Sequence, residues 1–115
     1  MAGRISEKDT LAERVRLLTT HHLGSGRLTM HWIARSLGLS PPTLRRRLEA
    51  EQVTYSAIVD EVRRQLAERE LGGKRSVSEI AFYLGFSSVS AFGRAFRRWY
   101  GILPTEYRAR KRTTG

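Results

Sequence analysis

The sequence predicts an all-α protein in which two helix-turn-helix units are joined by a long linker helix, about seven helices in all. Three observations predict it. Apolar residues recur at three- and four-residue spacing along most of the chain. Serines or threonines stand ahead of these runs and glycines behind them, where helices start and stop. One two-helix pattern also occurs twice: Ile33, Ala34, Leu37 and Gly38 return as Ile80, Ala81, Leu84 and Gly85 at a constant spacing of 47 residues.

Composition limits what such a chain can do. It has 115 residues, 40% of them hydrophobic, which suits one compact domain or two very small ones. Lys and Arg number 21 against 11 Asp and Glu, a net charge of +10 that favours an anionic polymer or surface as partner. There is no cysteine, which excludes disulfides, a thiol nucleophile and a cysteine-based zinc site. No apolar run is long enough to span a membrane, and Glu7, Asp9 and Glu13 stand where a signal peptide would be apolar. No membrane role is expected, and the expected location is the cytoplasm, on the nucleoid when bound.

Met1 to Lys8 read as a flexible N-terminus. Asp9 is the expected cap of a first helix, whose buried stripe is Leu11, Val15 and Leu18 and which Gly24-Ser25-Gly26 ends. His21 and His22 are adjacent and so diverge on a helix; with no third ligand at metal spacing, they are expected at the surface and no metal site is expected. Thr29 caps Met30 to Leu37, with Trp32 packing and His31 a cap or surface residue. Gly38 forms the turn, Ser40 caps the next helix, and Pro41 at its first position gives up a donor that would be unpaired anyway.

On that helix, at about 100° per residue, Leu44 and Leu48 define the buried side and Arg46 falls roughly 200° from Leu44, opposite the core. Pro42 and Glu49 lie beside Arg46, and Arg45 on its flank. The exposed face is therefore basic. Arginine can donate two parallel hydrogen bonds to guanine in a major groove, or bind phosphate without reading sequence. Spacing leaves both roles open.

Thr54 caps a long helix with a stripe of Tyr55, Ile58, Val59, Val62 and Leu66, running to about Leu71 before Gly72-Gly73. Asp60, Arg63, Arg64, Glu68 and Arg69 are expected mostly on its solvated sides. Ser76 and Glu79 form a capping box for the next helix. Beyond the second turn the spacing grows to 48 residues, so that Ser88, Phe92, Arg94 and Phe96 match Ser40, Leu44, Arg46 and Leu48. Arg94 again points away from the core, with Ser90, Arg97 and Gly93 around it. This face has fewer long side chains, so fewer base contacts are expected there. Gly101 closes the helix, and Pro104, Thr105, Glu106 and Tyr107 read as a short final turn with Tyr107 in the core. Arg108, Arg110, Lys111 and Arg112 read as a basic tail that either tracks phosphates or solubilises the end.

The expected organisation is a first unit over 9–53, a linker helix over 54–73, a second unit over 74–108 and a basic tail over 109–115. From Leu28 to Arg108 the chain resembles the DNA-binding domain of the AraC/XylS family of bacterial transcription regulators. The resemblance rests on IAFYLGFSSVSAFGRAFRRWYGILPTEYR: I-A-x-x-L-G-F, then S-A-F-x-R-A-F-R-R, then G-x-x-P and Tyr. It implies seven helices and one helix from each unit in successive major-groove segments. It implies base contacts from Pro42, Arg45 and Arg46 in the first unit and from Ser90, Gly93, Arg94 and Arg97 in the second. Thr29, Ser40, Ser76, Ser88 and Arg98 are weaker candidates for the DNA backbone. Three departures bear on which bases are read: Pro42 has no backbone donor, Gly93 has no side chain, and Leu103 stands where a serine often precedes the proline.

The expected function is sequence-specific binding of double-stranded DNA by a transcriptional regulator, with the two helices about one turn, roughly 34 Å, apart on the duplex. No cofactor is expected, and RNA polymerase is a candidate second partner. The family usually carries a separate effector or dimerisation domain, which 115 residues cannot hold. The chain is thus expected to be an excised C-terminal domain or a short natural protein. The alternative is a helical protein-interaction module that binds an acidic partner. RNA is less favoured, because the aromatics fall on buried stripes. An enzyme is least favoured, since no catalytic grouping stands at useful spacing.

Overall fold

The computed structural model describes residues 9–113; the expectations for Met1–Lys8 and for the last two residues of the tail lie outside them. Among the described residues seven helices follow one another: α1 (Leu11–His22), α2 (Met30–Ser36), α3 (Pro41–Ala50), α4 (Tyr55–Leu71), α5 (Val77–Tyr83), α6 (Val89–Tyr100) and α7 (Pro104–Thr113). No strand occurs among the described residues. The fold divides into two compact units between Val62 and Arg63, inside α4.

In the first unit α1 packs on α2 and α3, around Leu11, Val15, Ile33, Leu44, Leu48 and Ile58. Its start differs from the expectation: Thr10, not Asp9, is the cap. The Thr10 hydroxyl accepts from the Glu13 amide at 3.2 Å and the Glu13 carboxylate accepts from the Thr10 amide at 3.3 Å. Of Asp9 and Thr10, only Thr10 stands three positions before a glutamate, the spacing this reciprocal pair of bonds needs. The buried stripe differs too. Thr19 is fully buried while Leu18 is half-buried, because Thr19 satisfies its hydroxyl locally by donating to Val15 O at 2.8 Å. The Glu51 carboxylate accepts from the amides of Leu11 and Ala12, each at 3.1 Å, holding donors that the first turn of α1 cannot pair itself.

Both turns are built alike. After α2, Gly38 takes φ 71°, its amide donates to Arg35 O at 3.0 Å and that of Leu39 to Ala34 O at 2.9 Å. After α5, Gly85 takes φ 83°, its amide donates to Phe82 O and that of Phe86 to Ala81 O, both at 3.0 Å. These are Schellman motifs, whose left-handed residue is glycine because a Cβ is disfavoured there. The spacing of 47 residues also extends back to the preceding helices. Leu11, Val15 and Thr19 of α1 correspond to Ile58, Val62 and Leu66 of α4, and all six are buried.

In the second unit α5 and α7 pack on α6. Phe92 and Phe96 are fully buried and meet edge to face at 5.9 Å, while Tyr100 and Tyr107 lie 4.7 and 5.2 Å from the Phe96 ring. Tyr107 is half-buried at the edge of this cluster. The expected short final turn is in fact a ten-residue helix that takes in residues 109–113 of the expected tail. Arg108 is its anchor: the guanidinium donates to Leu71 O at 3.1 Å and also to Arg75 O. Lys111 donates to Glu68 O at 3.3 Å.

Candidate nucleic-acid interface

Helix α3 begins at Ser40, whose hydroxyl oxygen accepts from the Thr43 amide at 3.3 Å and whose proton goes to Thr43 Oγ1 at 2.8 Å. Burial of Leu44 and Leu48 then fixes the helix's rotation. Pro42, Arg45 and Arg46 stand exposed on the opposite side, with Glu49 exposed beside them.

Helix α6 is set in the same way. Ser88 caps it by accepting from the Ala91 amide at 3.0 Å, and Phe92, Ala95 and Phe96 are buried. Ser90, Arg94 and Arg97 are exposed and Gly93 is half-buried. These four line one groove of about 410 Å³, together with Val89 and Leu103, each 41% exposed. Arg98 is exposed, its guanidinium 5.9 Å from the Trp99 ring.

Thr29, Ser40, Ser76 and Ser88 all occupy N-cap positions with the side-chain oxygen turned onto the helix's own amides. At Ser76 the box is reciprocal: Glu79 accepts from the Ser76 amide at 3.0 Å. The Ser76 backbone and side-chain hydrogen bonds hold the Glu79 carboxyl below its ordinary value. The four hydroxyls therefore set where helices start. His22 lies 4.6 Å from the Trp32 ring, His21 and His31 are exposed, and no group of metal-ligating side chains gathers among the described residues.

Arg63 has a role that spacing did not reveal. Instead of lying on a solvated side of α4, it is half-buried and donates to Leu84 O at 2.9 Å and Gly85 O at 3.1 Å, with its guanidinium 4.4 Å from the Phe86 ring. A cation thus holds the C-terminal end of α5 and the turn that leads into α6. Glu68 is likewise engaged, accepting from the Tyr100 hydroxyl at 2.8 Å. The corresponding residue of the first unit, Arg16, instead pairs with Glu61 at 3.4 Å.

A helix-turn-helix domain family matches residues 33–110. The transcriptional regulator VirS of Mycobacterium tuberculosis is 41% identical over 101 residues, a match that covers 87% of this chain and 30% of VirS. The chain thus spans about a third of that relative's length. The crystal structure of a DNA-binding transcriptional dual regulator from Escherichia coli K-12 superposes with a TM-score of 0.86 at 30% identity, covering 96% of this chain and 99% of that one. The DNA-binding domain of AdpA, solved in complex with a target DNA, gives a TM-score of 0.77 at 30% identity, covering 93% of this chain and 96% of that one. With the two capped and glycine-turned helix pairs, these matches identify the chain as a member of the AraC-type helix-turn-helix family.

Proposed function

We propose that the protein binds double-stranded DNA in a sequence-specific manner as part of a transcriptional regulator, with α3 and α6 entering successive major-groove segments. The observation that carries this reading is that both helices bury one side and turn outward a side bearing arginine, Arg45 and Arg46 on α3 and Arg94 and Arg97 on α6. A net charge of +10 supports an anionic partner, and the relative seen with its target DNA supports a duplex. Specificity is assigned mainly to Arg45 and Arg46. Arg94, Arg97, Ser90 and Gly93 contribute more to position and affinity, with Pro42 shaping the approach of α3. The flanking phosphates are assigned to Arg98 and to the hydroxyl protons of Thr29, Ser76 and Ser88, whose capping bonds use only the oxygen, and to Ser40 once its proton turns from Thr43 Oγ1.

The proposal takes 9–53 and 74–108 as the two reading units and 54–73 as the connection. The greater length of relatives such as VirS supports a separate effector or dimerisation domain as a working partner. RNA polymerase is the second proposed partner, and the cytoplasm the proposed location. The family's members are regulators, and nothing about them indicates an enzymatic activity.

Binding assays with random and selected duplexes at several salt concentrations test the reading. The expected result is salt-sensitive affinity for any duplex, stronger for selected ones, and weakened by Arg46→Ala and by Arg94→Ala. Absence of duplex binding at low salt would favour an acidic protein partner instead.

A further inference from the structure

The groove along α6 mixes two chemistries. Arg94 and Arg97 give it positive charge, yet Val89 and Leu103, which line it with them, leave aliphatic surface in water, each 41% exposed. Gly93 lines the groove and sits inside the helix, where glycine weakens the helix relative to alanine. Nothing inside the protein requires it: a Cβ added there would meet no atom within 4 Å. The clearance is kept on the outer side. At the corresponding positions of α3 stand Pro41 for Val89 and Arg45 for Gly93, so the first unit has a guanidinium where the second has a gap.

On the major-groove edges of DNA the one apolar group is the C5-methyl of thymine. We infer that the α6 groove takes such a methyl, with Val89 and Leu103 forming the apolar contact and Gly93 the clearance, so that the second unit selects a T·A pair at one position. Arg94 and Arg97, which line the same groove, suit the phosphates that bring the duplex in, and the aliphatic pair supplies the discrimination that Ser90 and Gly93 lack. The inference rests on the duplex-binding reading above and makes Val89 and Leu103 its specificity-determining residues.

The test uses a duplex selected by the protein from a random library, in which each thymine in turn is replaced by deoxyuridine, removing only the methyl. The expected result is a loss of about fourfold in affinity at a thymine within the block that Arg94→Ala disturbs, the equivalent of about 0.8 kcal/mol for one buried carbon. That loss disappears in the Val89→Ala, Leu103→Ser double variant, and in Val89→Ala alone it shrinks, which keeps the readout if the double variant fails to fold. A flat uridine scan across that block, with Arg94→Ala still weakening binding, overturns the inference and leaves the duplex reading intact. So does an undiminished uridine penalty in the folded variants. Failure to bind any duplex removes the duplex reading and this inference with it.

Discussion

Replacing Arg63 tests whether the second unit's turn is held from α4. Arg63→Ala removes two hydrogen bonds from a charged donor, at 2.9 and 3.1 Å, and a guanidinium 4.4 Å from the Phe86 ring. A hydrogen bond to a charged group contributes roughly 1.5–3 kcal/mol and an exposed cation–π contact about 0.5–1 kcal/mol. Arg63 is only half-buried and water can reach the freed carbonyls, so the combined loss falls to about 2–4 kcal/mol. Against total stabilities of about 5–15 kcal/mol for natural domains, that is a large fraction. Arg63→Lys keeps a cation but not the two-pronged donor, and is expected to lose about half as much. Urea unfolding followed by circular dichroism measures both. The reasoning is refuted if Arg63→Ala changes stability by less than about 0.5 kcal/mol, the range of an ordinary surface substitution, or if lysine serves as well as arginine.

Leu103 precedes α7 and its carbonyl accepts from the Tyr107 amide at 3.0 Å, so it stands at the N-cap without an oxygen to offer; Leu103→Ser is expected to raise stability by about 0.5–2 kcal/mol in thermal unfolding. Glu51→Ala should lower it by about 1–2 kcal/mol by freeing the Leu11 and Ala12 amides, and a silent variant would show that Glu51 does not stabilise the first turn of α1. Burial, reinforced by the Glu68 carboxylate, pushes the Tyr100 and Tyr107 hydroxyls above their ordinary value of 10.0. The unfolded chain then releases those protons first, so this contribution is complete below pH 10.0 and lost as pH rises through the folded values. Urea midpoints measured on either side of pH 10.0 should fall, and fall less in a Tyr100→Phe, Tyr107→Phe variant.

Helices with a period and a cap were legible in the sequence. Ser40, Ser76 and Ser88 start the expected helices, and Gly38, Gly85 and Gly101 end them or take the turn with positive φ. The outward sides of α3 and α6 followed from the same periodicity, since Leu44, Leu48, Phe92 and Phe96 fix each helix's rotation by burial. What escaped were bonds between a long polar side chain and a backbone group distant in sequence. Arg63 to Leu84, Glu51 to Leu11 and Arg108 to Leu71 span 21, 40 and 37 residues, and no spacing rule links such partners. The same blindness made α7 look like a tail, because its polar residues are held by Arg108 and Lys111 reaching backbone carbonyls of α4 rather than by a long apolar stripe. Thr19 escaped for another reason: a hydroxyl that bonds within its own helix counts as polar in the sequence and packs as apolar in the core.

The central claim is that one chain reads two groove segments, one through α3 and one through α6. Selecting bound duplexes from a random library, once with the native chain and once each with Arg46→Ala and Arg94→Ala, tests it most directly. The predicted result is two base blocks about 10 base pairs apart, with Arg46→Ala erasing preference in one block and Arg94→Ala weakening the other. A single block affected by both variants, or blocks that neither variant disturbs, would contradict it.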